Sequence, residues 1–239
     1  MDILFFAFAF LAEVAGTVAG FGSSTIALPI ALFFFDFNTA LVLVAFLHVA
    51  GNIGRVSFFK KGLDWQLLTK FGVPSVVFTL IGALLVSYLP QNTLKGILGV
   101  FLIAYAGYSL WQENFRIKAS TATAIVGGGL SGFLAGLIGT GGALRGAFLT
   151  AFGLPKEKYI ATAAAIALAV DFTRLPVYFA EGFLSNQYYW YIPFLLVIAL
   201  AGSFTGKQIV KRFPYKVFRK IVLIAILLIG IKFLFDWLV

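Results

Sequence analysis

The sequence has no cysteine and a single histidine. Disulfides, thiolate metal sites and cysteine nucleophiles are therefore excluded, and an H-E-x-x-H zinc motif cannot be built. Charge is scarce as well. Only 11% of residues are charged against 61% hydrophobic, where a soluble chain is nearer a quarter charged and half apolar. Acids are the rarer sign, 9 Asp and Glu against 18 Lys and Arg, and no pair of carboxylates stands at a catalytic spacing. The sequence thus offers no enzyme machinery and calls for no cofactor, no metal and no nucleic acid. With a mean hydropathy of +1.00, this is the composition of an integral membrane protein, whose solvent is the lipid bilayer. Its net charge of +9 then reports topology before it reports a ligand. Met1-Asp2 runs straight into apolar sequence without a basic n-region, so the start reads as part of the mature fold.

Eight apolar segments follow one another, roughly Ile3–Phe35, Thr39–Phe59, Leu67–Leu89, Thr93–Trp111, Ala119–Gly153, Tyr159–Ala180, Tyr188–Gly206 and Val217–Leu238. A membrane span needs about 20 residues. Six segments fit; the first and fifth are too long for one straight helix, and each is interrupted by glycine. The first break is Gly16-Thr17-Val18-Ala19-Gly20-Phe21-Gly22-Ser23-Ser24-Thr25, the second Gly132-Phe133-Leu134-Ala135-Gly136-Leu137-Ile138-Gly139-Thr140-Gly141-Gly142. Broken backbone at membrane depth survives only where it is buried in protein or lines a cavity. The two breaks are the first candidates for a binding site.

The breaks belong to an internal repeat. Gly16 and Gly20 match Gly132 and Gly136, Asn52 and Arg55 match Asp171 and Arg174, Pro74 matches Pro193 and Gly82 matches Gly202, all at an offset of 116 to 120. The distribution of Lys and Arg decides the relative orientation of the halves. If all eight segments cross, the loop charges divide 6 against 9, which is almost no bias. If the two broken segments return to the side they entered, the division is 13 against 2, with Arg55, Arg145 and Arg174 inside segments. The second arrangement obeys the positive-inside rule. The expected fold is an all-α polytopic membrane protein made of two inverted repeats, residues 1–115 and 116–239. Each has a broken, re-entrant helical hairpin (3–35 and 119–153) followed by three transmembrane helices, with both termini outside. Arms of about 16 residues at ~1.5 Å per residue reach past the bilayer midplane without spanning it, so the two tips should meet there. Broken helices in inverted repeats are typical of secondary transporters.

A returning half-helix starts after each break and presents free N–H groups with a partial positive charge. Facing ends of this kind attract an anion. The candidate substrate-binding residues are Gly22, Ser23, Ser24, Thr25, Gly139, Thr140, Gly141, Gly142 and Arg145. Arg145 would supply a full charge near the tip, at a depth where charge is costly unless used. Gly16, Gly20, Gly132 and Gly136 have the small-xxx-small spacing of packed helices. Glu13, His48, Asn52, Arg55, Asp171 and Arg174 are candidates for gating or coupling. Against that, a lone Glu or His can be a satisfied core group, Arg55 can snorkel, and Asp171–Arg174 can be a structural i,i+3 ion pair. Most of the 28 phenylalanines should face lipid, Tyr188-Tyr189-Trp190-Tyr191 should form an interfacial belt, and the basic cluster at 207–220 should anchor the inner surface.

The paired glycine-rich breaks, Gly153-Leu154-Pro155 and the run from Tyr159 to Ala165 resemble the TauE/SafE family of membrane permeases, the sulfite exporter family, over nearly the whole chain. Gly22-Ser23-Ser24-Thr25 stands where the family commonly has a glycine run, and Arg145 where a neutral residue is usual. The resemblance implies a secondary transporter, an exporter, of sulfite, an organosulfonate or a related sulfur oxyanion across the bacterial inner membrane. An anion channel and a proton-coupled permease for another small anion remain the alternatives. Proton coupling and assembly into a homo-oligomer are left open by the sequence.

Overall fold

The computed structural model describes residues 2–19, 22–58, 62–111, 117–209 and 215–239. Gly20, Lys60, Lys61, Arg116, Lys211 and Arg212, which carry packing or topology roles in the sequence reading, lie outside the described residues. The described elements are helical throughout. In order they are α1 (Asp2–Ala19), α2 (Ser24–Ala31), α3 (Phe37–Phe58), α4 (Trp65–Leu67), a π-turn (Leu68–Gly72), α5 (Val73–Leu85), α6 (Gln91–Trp111), α7 (Thr121–Ile138), α8 (Gly142–Thr150), α9 (Lys156–Ala180), α10 (Tyr191–Ile209) and α11 (Tyr215–Leu238). α4, the π-turn and α5 run on as one rod. The wide turn directly precedes Pro74, whose ring cannot donate to, and would collide with, the carbonyl four residues back.

Side chains set the helix starts. Asp36 Oδ1 accepts from the N–H groups of Asn38 and Thr39 at the head of α3 (3.1 Å each). Ser120 Oγ accepts from Thr123 N at the head of α7 (3.0 Å), and Asp64 Oδ1 from Leu67 N at the head of α4 (3.0 Å). Each satisfies donors that a helix N-terminus leaves free. Gly153, at φ 61°, ends the turn after α8.

Among the described residues seven helices are long and apolar enough to cross a membrane, and the chain is an all-α, multi-pass membrane protein. Six of the seven coincide with the six unbroken segments. The seventh is Thr121–Ile138, whose partner arm α8 turns back along it. A Cβ on Gly141 would strike the Ser131 carbonyl, and one on Gly127 would strike the Phe148 ring. α2 likewise doubles back along α1, bringing the Phe35 ring to 4.7 Å from Phe5. The arms are unequal, which corrects the expectation of about 16 residues each. The entering arms α1 and α7 have 18 residues and the returning arms α2 and α8 have 8 and 9. At ~1.5 Å per residue the entering arms are about 27 Å long. Their last turns run past the tips, so that Gly16 lies against Ser23. Pro29 lies inside α2, and the helix runs on past its missing donor to Ala31.

Contacts between loops define two ends of the bundle. At one, Phe37 N donates to Gln91 Oε1 (3.0 Å) and Ser87 Oγ to Glu181 Oε2 (2.6 Å), and Phe35 meets Tyr188 and Tyr191. At the other, Lys158 pairs with Asp64 (3.1 Å), Lys70 donates to Thr121 (3.1 Å) and Lys207 Nζ lies 5.2 Å from the Phe58 ring centre. We call these the aromatic and the basic end. The first hairpin opens at the aromatic end and the second at the basic end. Tyr191 is 3% exposed, packed on Phe5 and Phe6. It therefore closes the mouth of the first hairpin instead of joining a lipid-facing belt, to which Tyr189 and Trp190, both exposed, still conform.

The closest helix packing is α5 on α7. Gly128, Gly132 and Gly136 lie against the carbonyls of Phe71, Ser75 and Thr79. Ser75 Oγ and Thr79 Oγ1 cross the gap to Gly128 O (3.1 Å) and Gly132 O (3.0 Å). Small residues admit close backbones and hydroxyls supply the polar contact that lipid cannot. α10 packs on α1 in the same manner, with Gly202 and Gly206 against the Phe10 and Val14 carbonyls. Gly132→Ala puts a methyl group into the Ser75 backbone and should destabilise the detergent-purified protein by about 1–3 kcal/mol, as overpacking does. Gly107→Ala, where a Cβ meets nothing within 4 Å, should be neutral or stabilising; thermal unfolding of the two variants beside the parent checks the contrast.

Candidate functional site

Both breaks turn on a glycine in the left-handed region, Gly22 at φ 86° and Gly139 at φ 70°, where other residues are strained. These turns aim the returning arms so that the tips touch. Thr25 Oγ1 and Thr140 Oγ1, fully buried, are hydrogen-bonded at 2.9 Å. Ser23 and Ser24 are buried beside them, and Ser23 Oγ has no partner among the described residues. Gly139 packs on Leu28 and Leu41, whereas Gly141 packs on Ser131. Neither α2 nor α8 has a side-chain cap. The backbone bonds back to Ser23 O and Gly141 O begin only at Ile26 and Arg145.

Two buried ionic groups flank the tips. In the first, Arg55 pairs with Glu13 and donates to Asn52 Oδ1 (2.7 Å) and Thr17 Oγ1 (3.0 Å), while Ser203 Oγ donates to Glu13 Oε1 (2.8 Å). In the second, Arg174 holds Asp171 Oδ1 (2.7 Å) and donates to the carbonyls of Ala135 and Gly139 (2.9 Å each). Tyr178 donates to Gly136 O (2.5 Å). A cation thus caps the C-terminus of α7, where the helix dipole favours positive charge. The two matched pairs, Asn52–Arg55 and Asp171–Arg174, make the same internal bond. The halves are joined by His48 Nδ1, which donates to Asp171 Oδ2 at 2.8 Å. Glu13 and His48 are therefore not isolated intramembrane groups, and Arg55 turns inward to Glu13 instead of snorkelling.

A cavity lies beside the tips on the side of the basic end. It is lined by Gly16, Thr17, Gly22, Asn52, Arg55, Gly142, Arg145, Gly146, Tyr159, Ile160, Ala163 and Ala164. Measured to the centres of water-sized spheres it holds about 40 Å³, room for about three waters or one compact solute. Of the residues expected to bind substrate, Gly22, Gly142 and Arg145 line it; Ser23, Ser24, Thr25, Gly139, Thr140 and Gly141 lie behind it in the tips. Asn52 and Arg55, expected as gating groups, are in the wall. Arg145 is 5% exposed, and among the described residues its guanidinium has no hydrogen-bond or ion-pair partner. Arg55 takes the Asn52 oxygen, which leaves the buried Asn52 Nδ2 donor without a partner among the described residues. His48 Nε2 has none among them either. A Cβ on Gly22 would lie 3.4 Å from it and 3.8 Å from an Arg145 nitrogen. Thr17, Gly146 and Tyr159 were not named as site residues from the sequence. Thr17 lies inside the first break and Tyr159 opens the run that carries the family resemblance, whereas nothing in the sequence marks Gly146.

These features together describe a multi-pass membrane protein with a donor-rich internal cavity between broken helices. Residues 5–233 match the family described as Sulfite exporter TauE/SafE, and the chain belongs to this family of membrane transporters. It is similar to a probable membrane transporter protein of Methanocaldococcus jannaschii, with 26% identity over 84% of this chain and 82% of the relative.

Removing Arg174 strands a buried Asp171 and uncaps α7. Arg174→Ala should cost about 3–5 kcal/mol of stability, the loss seen when one partner of a buried pair is removed. Arg174→Lys should fall between, because an ammonium can keep Asp171 but cannot also reach both carbonyls with a planar fork. Thermal unfolding in detergent reads the order parent, Lys, Ala.

Proposed function

We propose that this transporter is a secondary carrier for a small oxyanion, of the class of sulfite, organosulfonates and related sulfur oxyanions, bound in the cavity beside the tips. The observation that carries the reading is Arg145: a nine-tenths buried guanidinium with no ion-pair or hydrogen-bond partner among the described residues, in the first turn of a helix whose N-terminal dipole already disfavours it. An anion there relieves both penalties. Asn52 Nδ2 and the free N–H groups at the head of α8 supply further donors. The size of the cavity fits a compact tetrahedral or pyramidal anion. Export is the direction an inside-negative potential favours, by ~2.3 kcal/mol per charge per 100 mV.

The carrier acts, on this reading, through two inverted repeats, 1–115 and 116–239. The opposed openings of the hairpins support it, as does the exchange of roles in packing: α10 sits on α1 as α5 sits on α7. A channel is disfavoured by the fully buried Leu28, Leu41 and Ile138, which fill the space between the tips and the aromatic end. The basic end is assigned to the cytoplasm of a cell whose inner membrane holds the protein. Single cysteines in this cysteine-free chain test the topology. Positions 118 and 156 should label from the cytoplasmic side and positions 90 and 181 from the other; labelling of 118 and 156 from opposite faces overturns the second hairpin as re-entrant.

Arg145→Ala should weaken anion binding roughly tenfold to a hundredfold, the worth of a hydrogen bond to a charged group of ~1.5–3 kcal/mol. The variant should still fold, because no hydrogen bond or ion pair among the described residues is lost and only packing around the side chain is removed. Arg145→Lys should recover part of the affinity, keeping charge but not the forked donors. Calorimetric titration with sulfite, thiosulfate, sulfoacetate, sulfate and chloride measures this. Parental affinity in the folded Ala variant removes Arg145 from the site.

A further inference from the structure

We propose that His48 is the proton site of the anion cavity, so that one proton is taken up on its Nε2 with each bound anion. The inference rests on the anion-binding reading above. His48 is 3% exposed and its Nδ1 faces a carboxylate, which only accepts. Nδ1 therefore carries hydrogen, and in the neutral ring Nε2 is a bare acceptor. That acceptor has no partner among the described residues, and it addresses the same point beside Gly22 as Arg145 does. A histidine kept only to join α3 to α9 would need Nδ1 alone. A second nitrogen aimed at a cavity wall is what requires explanation.

The chemistry is a simple protonation. A neutral Nε2 presents its lone pair to an anion and repels it. A proton from water on the open, basic side of the cavity binds Nε2 and turns it into a donor. The Nδ1–H stays on Asp171, no other bond changes, and the charge of the site rises by one. The surrounding charges are compatible. α9 presents Asp171 and Arg174, α8 presents Arg145 and α3 itself Arg55, with Glu13 of α1 behind Arg55. α2 carries no titratable side chain, and α10 carries them only at its ends, Tyr191 and Lys207. α6, which meets the head of α3 through Gln91, carries Lys95, Tyr105 and Tyr108. Three arginines against two carboxylates give the site one net positive charge, and protonated His48 makes two. A monoanion would then cross with no net charge, so that the membrane potential would cease to favour its export, and a dianion would cross as a single negative charge still driven outward.

His48 is the only histidine in the chain, so full-length protein labelled with 15N-histidine gives one ring signal. Thiosulfate and methanesulfonate serve as probes because neither titrates across the neutral range. At a pH where the free ring is neutral, a saturating probe should convert it to the doubly protonated form. Calorimetry in buffers of different ionisation heat should find about one proton taken up per anion, with affinity falling by up to about tenfold per unit rise in pH. His48→Gln, which offers a neutral donor, should bind with affinity flat in pH and without proton uptake. A ring that stays neutral in the saturated parent overturns the proposal, as does proton uptake that persists in His48→Gln. The NMR result on the parent decides the matter even if that variant does not fold. Binding that depends on Arg145 with a neutral ring sinks only the proton inference; binding indifferent to Arg145→Ala, or no binding of any probe, sinks the anion site itself.

Discussion

A helix broken in hydrocarbon exposes two kinds of unpaired group at once: carbonyls at the end of one arm and N–H groups at the start of the next. This chain answers the two differently. The carbonyls at the end of α7 are taken by Arg174 and Tyr178. Arg55 grips α1 through Glu13 and Thr17. The N–H groups at the starts of α2 and α8 receive no side-chain cap. The negative end of α7 is neutralised inside the protein while the positive ends of α2 and α8 are left facing the tips, and Arg145, buried and without a hydrogen-bond or ion-pair partner among the described residues, stands among them. The polarity of the site follows from that unequal treatment.

Asp171 is where this arrangement is coupled. It holds Arg174 with one oxygen and His48 with the other, so the cap on α7, the crossing of α3 over α9 and the aim of Nε2 depend on a single carboxylate. Asp171, Arg174 and the carbonyls they serve are almost wholly inaccessible. In so dry a setting a charge is tolerated only while its partners keep their geometry. Movement of the second hairpin must therefore carry α9 along with α7, since Arg174 is bonded to both.

Much of this could be read before any coordinates. The doubled breaks, the six unbroken spans and the meeting of the tips follow from composition and chain length, because lipid leaves so few ways to bury a broken helix. The unequal arms were not legible: they depend on where α2 and α8 cease to find neighbours, which no periodicity encodes. Nor were the partners of Glu13 and His48. Arg55 lies 42 residues from Glu13 and Asp171 lies 123 from His48, and pairing at such separations depends on the rotation of each helix about its axis. In an apolar segment nearly every face is hydrophobic, so the sequence carries little information about that rotation. Asp171 and Arg174 were legible as a pair because three residues on one helix fix their geometry.

On the carrier reading, the distribution of polarity along α3 limits what transport must change. Leu41 and Leu28 lie on the aromatic side of the tips and are fully buried. His48, Asn52 and Arg55 follow at successive turns toward the basic end, facing Gly22 or lining the cavity. An anion in the cavity is thus separated from the aromatic end by an apolar layer and by the bond between Thr25 and Thr140. Small side-chain rotations cannot open that layer, because its leucines pack directly on the backbone turn at Gly139. Access from the aromatic end requires one tip to move away from the other as a unit. The weakest link between the tips is the Thr25–Thr140 hydrogen bond, a neutral contact worth far less than the ionic groups that hold each hairpin to its own half. Charged contacts also cross the division away from the tips, at His48–Asp171, Ser203–Glu13 and Lys158–Asp64, so on this reading the tips part at their weak bond while the halves stay joined elsewhere.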